Sequence, residues 1–154
     1  YFWRSEIMPN WTTNEVTITA ESKKDLTTFI KQIKSKDNPF DFDRIEPMPK
    51  TVFRGNLGFH DRKKHGRNNW YDWSWDNWGT KWNSCQAMAE RLSATEIFYQ
   101  FDTAWCPPVK IYEALSNIYS GQVSGCPSVK IEWHCLDEDD DTQGEGYDIK
   151  EVAQ

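Results

Sequence analysis

Residues 15–36, EVTITAESKKDLTTFIKQIKSK, decide the fold. Val16, Ile18 and Ala20 alternate with Thr17 and Thr19, the two-residue period of a strand with one buried face. Ser22 then stands three residues ahead of Asp25, as a helix cap requires, and Leu26, Phe29, Ile30 and Ile33 fall on one helical face. The spacing predicts a helix that ends near Lys36, before Asn38-Pro39.

On the C-terminal side, FDFDRIEPMPK (40–50) alternates briefly and stops at two prolines, which allows at most a short edge strand. The next twenty or so residues are polar, Gly-containing and basic, and read as a long loop, a kind more often functional or mobile than merely connecting. In NWYDWSWDNWGTKWN (69–83) the pattern allows a short helix with Trp70, Trp73 and Asn77 on one side, closed by Gly79. Residues 84–92 and 96–102 read as the two strands of a hairpin. Pro107 and Pro108 suit the first turn of a second helix, with Ile111, Tyr112, Leu115, Ile118 and Tyr119 on its inner stripe and Gly121 as its stop. In the last strand, residues 128–135, Val129, Ile131, Trp133 and Cys135 face inward and Lys130, Glu132 and His134 outward.

The order strand, helix, strand, strand, helix, strand predicts an α+β domain of the ferredoxin-like, split βαβ kind. The expectation is a four-stranded antiparallel sheet in order 4-1-3-2 with two helices on one face and a long Trp-rich insertion between helix 1 and strand 2. Residues 1–7 are expected to be an N-terminal extension or remnant, 8–136 a single domain with its insertion at 40–83, and 137–154 an acidic C-terminal segment.

Composition agrees with one domain but constrains its core. Five Leu, ten Ile and six Val are few for 154 residues, whereas 15% of the chain is aromatic, including nine Trp. The core must therefore be aromatic, each ring burying roughly 150–250 Å². The net charge of −6 argues against a protein built for non-specific nucleic-acid or anionic-membrane binding. That average hides a polarity: residues 50–67 hold six basic residues and one acid, and residues 136–148 hold seven acids and no base. Either is a solvated surface, or the basic loop contacts phosphate through Arg54, Arg62, Lys63, Lys64 and Arg67 and the acidic tail docks on it or on a partner. Cys85, Cys106, Cys126 and Cys135 form no CxxC pair, and His60, His65 and His134 have no zinc spacing, so no metal or other cofactor is expected and the thiols read as reduced. With no long apolar run and no signal peptide at residues 1–7, the expected location is cytoplasmic, without a membrane role.

The topology gathers four distant segments at one end of the sheet: MPNWTTN (8–14), DRIEPMP (43–49), NWGTKWN (77–83) and FDTAWCPP (101–108). Indole rings there interleave with short polar groups, the composition of a recognition surface. The candidate ligand- or partner-binding residues are Asn10, Trp11, Asn14, Trp78, Thr80, Lys81, Trp82, Asp102, Thr103 and Trp105. The competing reading is a capped sheet edge, with the Trp rings as a lid on the core and Lys81 and Asp102 as a surface ion pair.

These four segments resemble the signature stretches of the YubB ferredoxin-like family, small proteins encoded on plasmids and phages and catalogued as of unknown function. The resemblance runs from Met8 to about Cys135. It departs where Thr12 stands for the family's usual Cys, where Cys106 stands for Ser, in the residues before Met8, and in the acidic ending. It implies the fold and a mobile-element origin, and it transfers no activity.

The expected function is accordingly an accessory interaction protein that recognises a host or foreign protein, or a small ligand, through the Trp-rich edge. One alternative is a nucleic-acid-binding protein using the basic loop. The other is an enzyme with Asp102 and Lys81 at its site or with His60 and His65 as proton carriers. Nucleophile-elbow, P-loop, dinucleotide and zinc motifs are missing, and no catalytic residues are assigned.

Overall fold

The computed structural model describes residues 9–138 and 144–153. Five strands, β1 (Trp11–Ala20), β2 (Cys85–Arg91), β3 (Glu96–Ala104), β4 (Val129–Asp137) and β5 (Tyr147–Asp148), form one antiparallel sheet in the order β2-β3-β1-β4-β5. Five helices accompany it: α1 (Lys23–Ile33), α2 (Phe42–Ile45), α3 (Phe59–His65), α4 (Trp70–Asn77) and α5 (Val109–Ile118).

This corrects the expected four-stranded, two-helix ferredoxin-like architecture in order 4-1-3-2. Local capping explains the extra helices. Asp41 accepts from the Asp43 N–H and so turns FDFDRIEP into a helical turn where an edge strand was expected. In the presumed loop, the Asp61 carboxylate accepts from the Gly58 N–H at the start of α3, whereas α4 stands where the short Trp-containing helix was expected, capped by Asn69, which accepts from the Asp72 N–H. The fifth strand comes from the acidic end of the chain. Tyr147 pairs with Cys135 across the β4–β5 ladder and donates its hydroxyl to the Asp137 carboxylate at 3.0 Å. Ile149, in a 3-10 turn just beyond, is fully buried in the core. Of the acidic segment 137–154, residues 139–143 and 154 lie outside the described residues, as do residues 1–8.

The sheet has one covered face. Every second residue of β1 from Thr12 to Ala20 is buried, and Ile97, Tyr99, Phe101 and Thr103 of β3 and Trp133 and Cys135 of β4 join that layer. Leu26, Phe29 and Ile33 of α1, which is capped by Ser22, and Ile111 and Leu115 of α5 pack onto it. Rings fill the space that aliphatic side chains would otherwise take. Phe40 stacks on Phe101 at 4.6 Å and meets Tyr99 and Trp133 edge-on at 5.0 and 5.7 Å. Complete burial of such a side chain stabilises the fold by about 1.5–3 kcal/mol, so Phe40, in a segment read as a weak strand, is a principal core residue. Among the described residues no helix is long and apolar enough to cross a membrane.

Candidate interaction site at one end of the sheet

The register brings the start of β1, the end of β3 and the start of β2 together: Trp11 lies opposite Ala104, and Cys85 opposite Asp102. The segment joining α4 to β2 reaches the same end because Gly79, at φ +78°, lets α4 stop against the first turn of α5. A Cβ at that position would come 3.1 Å from the Lys110 nitrogen. Thr80 then donates its hydroxyl to the Ala104 carbonyl at 2.7 Å, and Ser74 donates to the Lys81 carbonyl at 2.8 Å. The backbone of residues 80–81 is thus fixed from two sides.

Two layers result. The inner layer is polar, buried and satisfied. Asn14, at 0% exposure, donates through Nδ2 to the Thr12 carbonyl at 3.1 Å and to Thr103 Oγ1 at 3.0 Å, while its Oδ1 accepts from the Trp133 indole N–H at 3.0 Å. Thr103 passes the chain on by donating to the Cys106 carbonyl at 2.8 Å. Trp78 is buried, meets Phe42 and Trp73 edge-on, and donates its indole N–H to the Glu46 carbonyl at 2.9 Å. Asn14, Trp78, Thr80 and Thr103, all named as candidate binding residues, therefore spend their polar groups inside the protein and present nothing to a ligand at the surface.

The outer layer is aromatic and cationic. The Trp11 and Trp82 ring centroids lie 6.2 Å apart, the Lys81 ammonium sits 4.5 Å from the Trp82 ring centroid and 6.0 Å from that of Tyr71, and the Arg62 guanidinium also lies over Tyr71, at 5.6 Å. Rings and cations alternate from Trp82 to Arg62, Trp11 extends the row as a second ring beside Trp82, and all of these side chains are at least partly exposed. Each cation–π contact at such exposure is worth about 0.5–1 kcal/mol. The indole N–H of Trp75, whose ring lies 6.4 Å from Tyr71, is buried and has no partner among the described residues. Trp105 is 42% exposed and holds φ +73°, with its N–H bonded to the Asn10 carbonyl at 2.8 Å. A bulky residue in left-handed backbone stores about 1–3 kcal/mol of strain, which the Asn10 contact helps to hold.

Lys81 and Asp102 do not form the ion pair considered from the sequence. Asp102 instead accepts from the Thr13 hydroxyl at 2.9 Å and, facing Cys85, adds to the effect of burial in raising that thiol's pKa. Burial likewise raises Cys106, whose thiol points at the Gly79 carbonyl. All four cysteines are free, and the described residues hold no cluster of three or more His, Cys, Asp or Glu suited to a metal ion.

The basic segment is split by the structure. Arg54 donates to the Met48 carbonyl at 2.9 Å, and Arg67 is committed to Asp76 at 2.6 Å and to Asp72 at 3.8 Å. His65 stacks on Phe53 at 4.0 Å. Lys63 and Lys64 project from α3 without ion pairs among the described residues, beside Phe59, which is 80% exposed. Sequence reasoning missed Tyr71, the middle ring of the outer layer. The only signal was its position one residue after Trp70 on a helix whose orientation the pattern did not determine.

The chain matches no family model, no curated protein and no solved structure.

Proposed function

We propose that the chain is an interaction protein that recognises a macromolecular partner through Trp11, Tyr71, Lys81, Trp82 and Trp105. The observation that carries this reading is the alternation of partly exposed rings and cations on a backbone fixed from beneath. Large, rigid side chains that pay little conformational entropy on docking are the usual anchors of protein interfaces. The strained, exposed Trp105 supports it, because strain that the core does not require is retained most often at functional surfaces. The resemblance of residues 8–135 to proteins of mobile elements makes a host or foreign protein the natural partner. In recovery from host lysate, the wild-type chain should retain a partner that both Trp82→Ala and Lys81→Gln release. Equal recovery by all three proteins would overturn the reading.

A nucleic-acid reading has one observation of its own. The exposed Phe59 stands on α3 with the unpaired Lys63 and Lys64, and stacking combined with phosphate contact is how single strands are held. Lys63→Gln/Lys64→Gln should then abolish a salt-sensitive gel shift that Trp82→Ala leaves intact. A shift that added salt does not weaken would reject it.

A further inference from the structure

The C-terminal end of α1 and the single turn of α2 enclose an open depression of about 520 Å³, lined by Lys31, Lys34, Ser35, Lys36 and Arg44. Four of these five residues are cations. All four are exposed, and among the described residues no ammonium or guanidinium of the four makes an ion pair or hydrogen bond.

Local explanations cover only part of this. Lys31 lies in the last turn of α1, where a cation complements the carbonyl end of a helix. Lys34 is already beyond the helix in extended backbone, Lys36 follows in the connecting loop, and Arg44 comes from a different element. The neighbouring carboxylates are turned elsewhere. Asp41 accepts from the Asp43 N–H and from Asn83 Nδ2, and Asp43 accepts from the Met48 N–H. Asp37 and Glu46, also close in sequence, pair with none of the four cations. In a chain of net charge −6 the fold thus converges four positive charges, none in an ion pair among the described residues, on one hollow. Their mutual repulsion is relieved by a multivalent anion. The hollow has the volume of a small-molecule site, in the range of about 300–1,000 Å³, and its charge is confined to one depression, unlike the extended stripe that a nucleic-acid backbone needs.

We propose that this hollow binds an oligophosphate, a small ligand carrying several phosphate groups. Arg44 offers a planar fork for two oxygens, the three lysines supply mobile point charges, and the Ser35 hydroxyl is a further donor. The site is independent of the Trp-rich surface.

Calorimetric titration of the full chain with inorganic tripolyphosphate at low salt tests it. Wild-type chain should bind. Lys34→Gln/Arg44→Gln, both at exposed positions and checked for unchanged thermal midpoint, should weaken binding about tenfold or more. Lys63→Gln/Lys64→Gln removes the same charge from α3 and should leave binding intact, as should Trp82→Ala. A parallel titration with a nucleoside triphosphate identifies the source of the phosphates: tighter binding than tripolyphosphate points to a nucleotide, weaker binding to an inorganic chain. Equal weakening by the two double variants would reduce the effect to net charge and overturn the proposal. So would absence of wild-type binding, or displacement of tripolyphosphate by single-stranded DNA at lower phosphate concentration.

Discussion

Asn14 and Lys81 occupy the same end of the sheet and both carry hydrogen-bond donors, yet the fold treats them in opposite ways. Asn14 is enclosed, with donors and acceptor committed to Thr12, Thr103 and Trp133. Lys81 is left against two aromatic rings with no carboxylate partner among the described residues. An enclosed polar group must be satisfied or it costs the fold, whereas a half-exposed cation over a ring costs little and stays available. The inner layer is therefore maintained by stability, and the outer layer needs another reason to exist. Every substitution that separates these layers tests the division.

The largest effect is expected at Asn14. Asn14→Leu keeps the branched outline but strands the Trp133 indole N–H in a buried setting and forces a larger apolar group into it, which should cost about 3 kcal/mol or more in denaturant unfolding. A loss under about 1 kcal/mol would mean that the inner layer relaxes to water and the contrast with Lys81 is false.

Trp133→Phe comes next. It keeps ring contacts of the kind made to Phe40, Phe101 and Tyr112 but removes the donor to Asn14, leaving Asn14 Oδ1 with the distant Cys135 thiol at 3.7 Å. A loss of about 1–2 kcal/mol is expected, and in the double variant with Asn14→Leu the two costs should fall short of additive, because both remove the same bond. Cys135 reports on the same layer through pH. Burial first, then Asp137 and Asp148, pushes its thiol up to about 12 from an unfolded value of 9.0. The unfolded chain therefore releases its proton first, so stability is complete below pH 9 and declines as pH rises through 9 towards 12, by at most about 1.4 kcal/mol per unit. A Cys135→Ala variant should lose that part of the decline, and an identical alkaline profile would show that the thiol is not enclosed.

Trp105 carries a smaller and differently signed prediction. At φ +73° glycine is unstrained and alanine is not, so Trp105→Gly should be more stable than Trp105→Ala by about 1 kcal/mol, contrary to the usual order. The comparison cancels the lost indole, which both variants share. Equal stability would show that the backbone there moves freely and that no strain is held at this surface.

Legibility in the sequence divides along the same line. The patterns of β1, α1 and α5 could be read because their apolar residues repeat with one period and face one layer. Helices α2 and α3 could not, because each is held by an acidic side chain accepting a backbone N–H, and the short spans between Pro and Gly carry no period. The fifth strand was hidden by composition: seven acids in residues 136–148 mask Tyr147 and the buried Ile149 that follows. At this end of the sheet the strand pattern places the segments near one another, but sequence alone gives no depth. Asn14 and Thr103 fall on the inward alternation of their strands, as Val16 and Phe101 do, so strand period could have placed them in the core. Lys81 and Trp82 lie in an irregular turn where no period applies, and their exposure depends on Gly79 and the Thr80–Ala104 bond.

Trp82→Ala should give the smallest change in stability and thereby the sharpest test of the comparison. The ring is partly exposed, touches Trp11 at 6.2 Å and supports the Lys81 ammonium, so its removal forfeits a little area and one exposed cation–π contact. Together these should amount to under about 1 kcal/mol in thermal or denaturant unfolding. If the outer layer exists for recognition, this nearly silent variant loses partner binding, whereas Trp133→Phe keeps binding at temperatures where it remains folded. A destabilisation by Trp82→Ala as large as that of Asn14→Leu would move Trp82 into the core and leave the alternating surface without its anchor.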